Sequence, residues 1–345
     1  MSLLTIYSGD HLGHDVSVEF NRGRLTTAFE RGERAERVLA AVRAAGIAVE
    51  DPVVFPLDAV LRVHRAAFVE FLSGAHAEWR ALDRQGDAMP LAWPIRGFRS
   101  DRVPASLDGR LSYYSFDISS PIAAGTWKAA RSAADVALTG AARIADGRER
   151  AAFGLCRPPG HHAASDYYGG YCFLNNAAIA AQHLRDNGAA RVAILDVDYH
   201  HGNGTQEIFY QRADVMFASI HADPASDFPY FLGYADETGA GAGAGFNHNF
   251  PLSRGADWAV WSGALEAACG AVDAYGPDAL VVSLGVDTFK KDPISHFKLE
   301  SRDYLRIGDR IARLRLPTLF LMEGGYAVEE IGTNVVNVLT GCQDR

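Results

Sequence analysis

Long apolar runs are missing from this 345-residue chain. The longest, such as 279–284, fall far short of the ~20 residues that a membrane-spanning helix requires, so no membrane association is expected. The opening MSLLTIYSGDHLGHD has no basic start and too short an apolar stretch for a secretory signal. Cysteine is scarce. Cys156, Cys172, Cys269 and Cys342 lie far apart with no CxxC pair, so neither disulfides nor thiolate zinc sites are expected, and the setting reads as a reducing cytoplasm. A surplus of positive charge is missing too: 33 Lys and Arg face 42 Asp and Glu, a formal net charge of -9. Such a balance repels a phosphate backbone, which argues against nucleic acid, and it favours a cationic substrate. There is no internal repeat, linker or low-complexity tract. The glycine-rich ETGAGAGAGF (237–246) does not match GxGxxG and opens no helix, so it reads as a flexible loop.

What the chain does contain is a series of short apolar runs that end at chemically useful residues. The run 151–156 leads into RPPGHH, VAILDV (192–197) into DYHHGNG, 215–220 into His221, 279–284 into GVD, and 317–322 into EGGY. Unbroken aliphatic runs with little alternation suit strands buried on both faces. Helical patterns lie between them at 175–187, 257–275, 302–314 and 329–339, the first two closed by Gly188 and Gly276. This order predicts an α/β chain: a single doubly wound domain with a central parallel sheet flanked by helices, spanning residues 1–345. Ligands of such a sheet sit beyond the carboxyl ends of its strands, where every one of these polar motifs lies. Helices are also expected at 31–45 and 57–82. The irregular stretch 86–121 is long for a structureless loop and reads as a functional excursion or an interface.

In ILDVDYHHGNG, Asp196, Asp198 and His200 follow a strand at spacing two and can point the same way. Carboxylate oxygen and imidazole nitrogen at close spacing form a zinc-type ligand pair, and Asp287, emerging from the same sheet edge, is the candidate third ligand. Two anionic ligands nearly cancel a divalent charge, so an attacking water needs a general base nearby. The doublet His161–His162 suits that need: one ring accepts and returns a proton, while the other stays charged beside the developing oxyanion. Second partners set those roles, and Asp196 and Asn203 are the candidates. The Gly-Gly turn before Tyr326 would place its hydroxyl over the strand end as a donor to a polarised carbonyl.

Taken together, RPPGHH, GGYCFLNN, DVDYHHGNGT, SLGVD and EGGY, in this order from about residue 151 to the C-terminus, resemble the zinc-dependent histone deacetylase superfamily with its arginase–deacetylase fold. The resemblance implies one Zn2+ per subunit on Asp198, His200 and Asp287, with Fe2+ as the alternative in the cell. It implies His162 as general base and acid beside Asn203, His161 as electrostatic partner beside Asp196, and Tyr326 as carbonyl polariser. It also implies a structural K+ on Asp196, Asp198, His200, Ser219 and Ile220, and a second cation around Phe209 and Val215. The N-terminal half is similar to the bacterial acetylpolyamine amidohydrolase branch in 29–42, AWPIR (92–96), LDGRLSYYSFD (107–117) and DPASDFPYFLGYADETG (223–239). That branch implies a loop, here about 86–121, that shapes a narrow tunnel and a homodimer interface. Gly170, Tyr171 and Phe228 would grip the substrate chain, and Asp108 and Asp117 would meet its far ammonium. Ser119 stands where the branch can carry a further acid.

The resulting expectation is a metal-dependent amidohydrolase that removes the acetyl group from small N-acetylated polyamines such as acetylputrescine and acetylcadaverine. Deacetylation of acetyl-lysine in proteins, or of other small N-acyl amines, is the alternative within enzymes. A catalytically dead acyl-amine binder would have lost the tyrosine or a ligand, and this chain keeps both. A two-metal ureohydrolase needs more carboxylate ligands than the pattern supplies.

Overall fold

The computed structural model describes residues 3–21 and 23–343. Its centre is an eight-stranded, all-parallel sheet built from β1 (Leu4–Tyr7), β4 (Ala48–Glu50), β5 (Ala151–Leu155), β6 (Val192–Asp196), β7 (Val215–Ala222), β8 (Asn247–Leu252), β9 (Ala279–Leu284) and β10 (Thr318–Met322). The spatial order is β4-β1-β5-β10-β9-β6-β7-β8. A small antiparallel hairpin, β2 (Val18–Asn21) with β3 (Arg24–Thr27), stands apart. Strands β5, β6, β7, β9 and β10 are buried along their whole length. That is why they read as continuous apolar runs: helices cover both faces and leave no solvent side to alternate with. The central neighbours β5, β10, β9 and β6 carry RPPGHH, EGGY, GVD and DVDYHH at their carboxyl ends, so the topology alone brings those four motifs together.

Capping follows the expected chemistry. Asn175 accepts from Ala178 N at the start of helix Asn176–Asp186, and Asp257 accepts from Ala259 N and Val260 N at the start of Trp258–Tyr275. Gly276 ends that helix at φ +61°, a conformation that costs glycine nothing. Two expectations need correction. The helix expected at 57–82 is two, Asp58–Leu61 and Ala66–Ala81. Between them His64 turns inward: its ring meets Ala164 O and accepts Asn175 N, each at 2.9 Å, and the chain breaks to deliver it. The stretch 86–121 is not wholly irregular, for it holds helix Leu107–Tyr114, capped by Ser106. The 20-residue helix Thr126–Ala145, rich in small residues and buried over most of its length, is an element beyond those expectations.

All four cysteines are buried and unpaired. Among the described residues no helix is long and apolar enough to cross a membrane.

Two helices, Ser301–Ala312 and Ile331–Gln343, approach so closely that glycine is required where they touch. A β-carbon on Gly308 would collide with the Val338 carbonyl, and one on Gly341 with the Leu305 carbonyl. In helix Trp258–Tyr275, by contrast, a β-carbon on Gly263 meets nothing within 4 Å. The two glycine-to-alanine changes therefore have opposite signs. Gly263→Ala should stabilise by about 0.5–1 kcal/mol, as helix propensity alone dictates. Gly308→Ala should destabilise by about 1–3 kcal/mol through overpacking. Thermal unfolding of the two variants beside the wild type checks both signs.

Candidate active site

The metal-type residues come from two adjacent strands. Asp198 and His200 follow β6, and Asp287 follows β9. Local backbone amides orient each carboxylate. Asp196 Oδ1 accepts Asp198 N at 3.1 Å, Asp198 Oδ1 accepts His200 N at 2.8 Å, and Asp287 Oδ1 accepts Tyr199 N at 2.8 Å. Asp198 Oδ2 accepts Gly324 N from the β10 turn at 2.8 Å. His200 Nδ1 then stands 3.0 Å from Asp287 Oδ2 and 3.4 Å from Asp198 Oδ1. Donor atoms of Asp198, His200 and Asp287 all lie within 4.8 Å of one another. Burial and the neighbouring Asp198 carboxylate push Asp287 up to about 6, the mark of two anions crowded where water cannot screen them. Glycines make the room. A β-carbon on Gly324 would stand 2.6 Å from Oδ2 of both Asp198 and Asp287. One imidazole nitrogen and two carboxylates converging in a buried cradle fit a divalent cation.

Beside this triad stand the two histidines, ring centroids 4.1 Å apart. Their partners differ. His161 Nδ1 lies 3.0 Å from Asp196 Oδ2, and His162 Nδ1 lies 2.6 Å from Asn203 Oδ1. Burial disfavours an imidazolium in both, but Asp196, Asp198 and Glu323 overcome it at His161 and hold that ring up at about 10. His162 has no such support. Burial and the neighbouring rings of His161 and His200 keep it well below the ordinary histidine value. A β-carbon on Gly170, at φ +55°, would strike the His162 ring, so the glycine is needed for the ring to sit where it does.

Tyr326 follows the Gly324–Gly325 turn, and burial raises its phenol well above the ordinary value. Two groups hold it. Asp292 Oδ2 accepts its backbone N–H at 2.7 Å, and the Arg34 guanidinium lies 4.6 Å over its ring. Arg34 also donates to Glu323 O at 2.7 Å and to Gly325 O at 2.6 Å. Behind it, Glu30 bridges Arg34 at 2.8 Å and Arg157 at 2.9 Å, all three side chains almost wholly buried. Burial opposes the Glu30 charge, yet Arg157 and Arg34 hold its carboxyl down at about 2.

A cavity of about 850 Å3 opens above this floor, with His162, His200 and Tyr326 at its base. Gly170, Tyr171, Phe228 and Asp117 line it as expected, and Glu19 and Tyr230 join them without having been anticipated. The Phe228 ring stands 5.1 Å from His162 and the Tyr171 ring 5.7 Å from Tyr326. Asp117 accepts Gly170 N at 3.0 Å and is also held by Ser119. Asp108 lies elsewhere. It is not among the residues that line this cavity, and Arg84 clamps it in the first turn of helix Leu107–Tyr114. Ser219 lies beside Asp196 in strand register, with Ile220 next to it. Phe209 ends helix Asn203–Phe209, and Val215 opens β7.

Sequence reasoning missed Glu19, Arg34, Glu30, Asp292 and Glu323. Glu19 is buried in the β2–β3 hairpin, accepts from the Tyr171 hydroxyl at 3.0 Å, and is pushed upward mainly by burial. Arg34 did carry a signal. It shares one helical stripe with Ala35, Val38, Leu39 and Val42, all buried, and an arginine on an apolar stripe needs a buried partner.

That partner generates a stability prediction. Glu30→Gln would leave two buried guanidiniums without their anion, at a cost of about 3–5 kcal/mol. Because the native carboxyl lies below its unfolded value, its contribution is complete above the unfolded value of 4.5 and is lost as pH falls toward about 2. Denaturant titrations of both proteins should therefore show the gap at neutral pH and its closure across that acidic window.

Comparison with known proteins agrees with this geometry. The histone deacetylase domain model matches residues 23–342. Acetylpolyamine amidohydrolase 2 of Pseudomonas aeruginosa is 59% identical over 340 residues, covering 98% of both chains. Acetylpolyamine amidohydrolase of Mycoplana ramosa is 52% identical over 340 residues, covering 97% of this chain and 98% of its own. The crystal structure of acetylpolyamine aminohydrolase from Burkholderia pseudomallei superposes with a TM-score of 0.94 at 40% identity, covering 99% of each chain. With its parallel sheet, its paired histidines and its buried donor triad at the strand ends, the chain belongs to the histone deacetylase domain family.

Proposed function

We propose that this chain is a metal-dependent amidohydrolase that removes the acetyl group from small N-acetylated polyamines, releasing acetate and a free amine. The observation that carries the reading is the union of two features in one cavity. Its base exposes His200 of the donor triad, His162 of the unlike histidine pair and Tyr326; its wall holds aromatic rings and the acids Glu19 and Asp117. The names of the similar bacterial amidohydrolases support the same substrate class.

Asp198, His200 and Asp287 would hold Zn2+. When bound, the ion supplies Lewis acidity toward the acetamide carbonyl and the attacking water. The rest of the work falls to the chain's own groups. Because His162 Nδ1 faces a carbonyl oxygen of Asn203, it carries the proton there, and Nε2 is left with a free lone pair. His162 Nε2 takes the proton from water and returns it to the departing amine nitrogen. His161, charged against Asp196, steadies the negative charge that develops on the substrate. Tyr326 donates its hydroxyl to the same oxyanion. Tyr171 and Phe228 flank the methylene chain, and Glu19 and Asp117 face the far ammonium.

The finer assignments belong to the same reading. K+ would sit among Asp196, Asp198, His200, Ser219 and Ile220, with a second cation near Phe209 and Val215. Residues 1–345 would form one catalytic domain. The segment 86–121 would shape the tunnel and pair with a second copy, a role supported by the exposure of Leu91, Ile95 and Phe98. The buried, unpaired cysteines support a reducing cytoplasm.

Two measurements test this. The first compares kcat/KM for acetylputrescine, acetylcadaverine and an acetyl-lysine peptide, with zinc-loaded protein and a chelated control. Preference for the free diamines and silence after chelation are expected. Preference for the peptide would transfer the assignment to protein deacetylation. The second is Tyr326→Phe, which should lower kcat by roughly 10²–10³ through loss of one oxyanion donor while zinc stoichiometry holds. Unchanged turnover in that variant would remove Tyr326 from the chemistry.

A further inference from the structure

Glu323 is fully buried at the end of β10, and its side chain reaches across to the motif that follows β5, the adjacent strand. Glu323 Oε2 accepts Gly160 N at 2.7 Å and His161 N at 3.1 Å. Those are the two amides that lead directly into the His161–His162 pair. Its other oxygen, Oε1, has no hydrogen-bond partner among the described residues. The glutamate is itself anchored: Arg34 holds its carbonyl, and the next N–H, of Gly324, is fixed on Asp198. The gripped turn is fixed from the far side as well. A β-carbon on Gly160 would stand 2.5 Å from Asn176 N, and Asn176 Nδ2 donates to Pro158 O at 3.1 Å.

Burying a carboxylate with one oxygen unpaired is expensive, and an apolar residue of similar size would fill the space at lower cost. What an apolar residue could not do is accept two backbone amides at once. We propose that Glu323 is a positioning residue for the hydrolysis: its carboxylate grips the Gly160–His161 backbone so that both imidazoles point at the reacting atoms. The inference rests on the amidohydrolase reading above. It assigns no contact with substrate to Glu323. It makes the spacing of the two histidine rings depend on a side chain from a different strand.

The acceptor reach and the charge can be separated by substitution. Glu323→Gln keeps an acceptor oxygen at the same reach and loses the charge. Glu323→Asp keeps the charge and loses one methylene of reach, and Glu323→Ala loses both. With zinc-loaded proteins and acetylputrescine, the Gln variant should keep kcat within about threefold of wild type, because Asp196 and Asp198, the larger supports of the His161 charge, stay in place. The Asp and Ala variants should lose kcat on the order of 10- to 100-fold through misplaced histidines, with KM and zinc stoichiometry unchanged. If Asp retained turnover while Gln lost it, charge rather than grip would matter and the proposal would fall. Wild-type turnover in Ala would overturn it too, as would a joint collapse of kcat, KM and zinc content, the sign of a merely structural role. Should Ala fail to fold, the Gln–Asp order decides alone. A zinc-loaded wild type inactive on acetylputrescine would instead sink the functional reading, and this inference with it.

Discussion

Negative charge buried at one end of a parallel sheet is the constraint on which the rest of this molecule depends. Asp196, Asp198, Asp287, Asp292 and Glu323 are all nearly or wholly inaccessible to water. Unpaired, each would be prohibitively expensive to keep ionised there. The chain answers first with its own backbone. The amides of Gly160, His161, Asp198, Tyr199, Gly324 and Tyr326 all turn toward one of these carboxylates. That inward turning shapes the loops, and it brings backbones so near the carboxylates that a β-carbon at Gly202, Gly285 or Gly324 would collide with one. Positive charge supplies the remainder, from His161, from Arg34 behind the turn, and from the divalent ion that the proposed function seats in the donor triad.

The same constraint explains why two adjacent histidines are not redundant. Both rings are buried to a similar degree, so desolvation acts alike on each. Their difference comes from their neighbours: His161 has its partner Asp196 and the carboxylates of Asp198 and Glu323 around it, whereas His162 has its partner, the Asn203 amide, and the rings of His161 and His200. One ring is drawn toward the imidazolium and the other is held neutral, a division of labour from residues one position apart. Neither partner lies on the strand that carries the histidines. The division therefore depends on how β5 and β6 are placed around β9 and β10, and on the grip that fixes the turn between them.

This also marks what could be seen in the sequence and what could not. Strand ends were legible because complete burial leaves an unbroken apolar run that stops abruptly at a polar motif. The metal-type triad and both histidine partners were legible because each sits within a few residues of such an end, or carries a motif whose resemblance supplies its role. Helix Thr126–Ala145 carried a fainter signal, since Lys128, Arg131, Asp135 and Arg143 recur at helical spacing but the positions between them are mostly alanine and other small residues. The break at His64 depends on Ala164 and Asn175, about a hundred residues away. Glu19 and Glu323 earn their place through contacts of longer range still, and Asp292 through one 34 residues away. A lone acid in a short strand or turn reads as solvated until the fold encloses it. Arg34 is the exception, an arginine on a buried stripe that helical periodicity alone could expose.

Chemistry and selectivity are built from different material. The reacting groups stand on ends of central strands, held by several bonds each, while the cavity wall comes from the β2–β3 hairpin, the 117–119 turn and the segment around Phe228 and Tyr230. Asp108 is committed to Arg84, so in the proposed function the acids that face a substrate's far charge within one subunit are Glu19 and Asp117, which line the cavity. Burial pushes both of these carboxyls upward, which means that water alone does not fully support their charge. An ammonium group entering the cavity supplies the missing counter-charge, whereas a neutral tail does not. In the proposed function, preference for a cationic substrate rests on relief of desolvation in the wall, independently of the groups that cleave the amide. Alterations in the hairpin or the 117–119 turn can shift which amine is accepted while the floor of the site goes on performing the same hydrolysis.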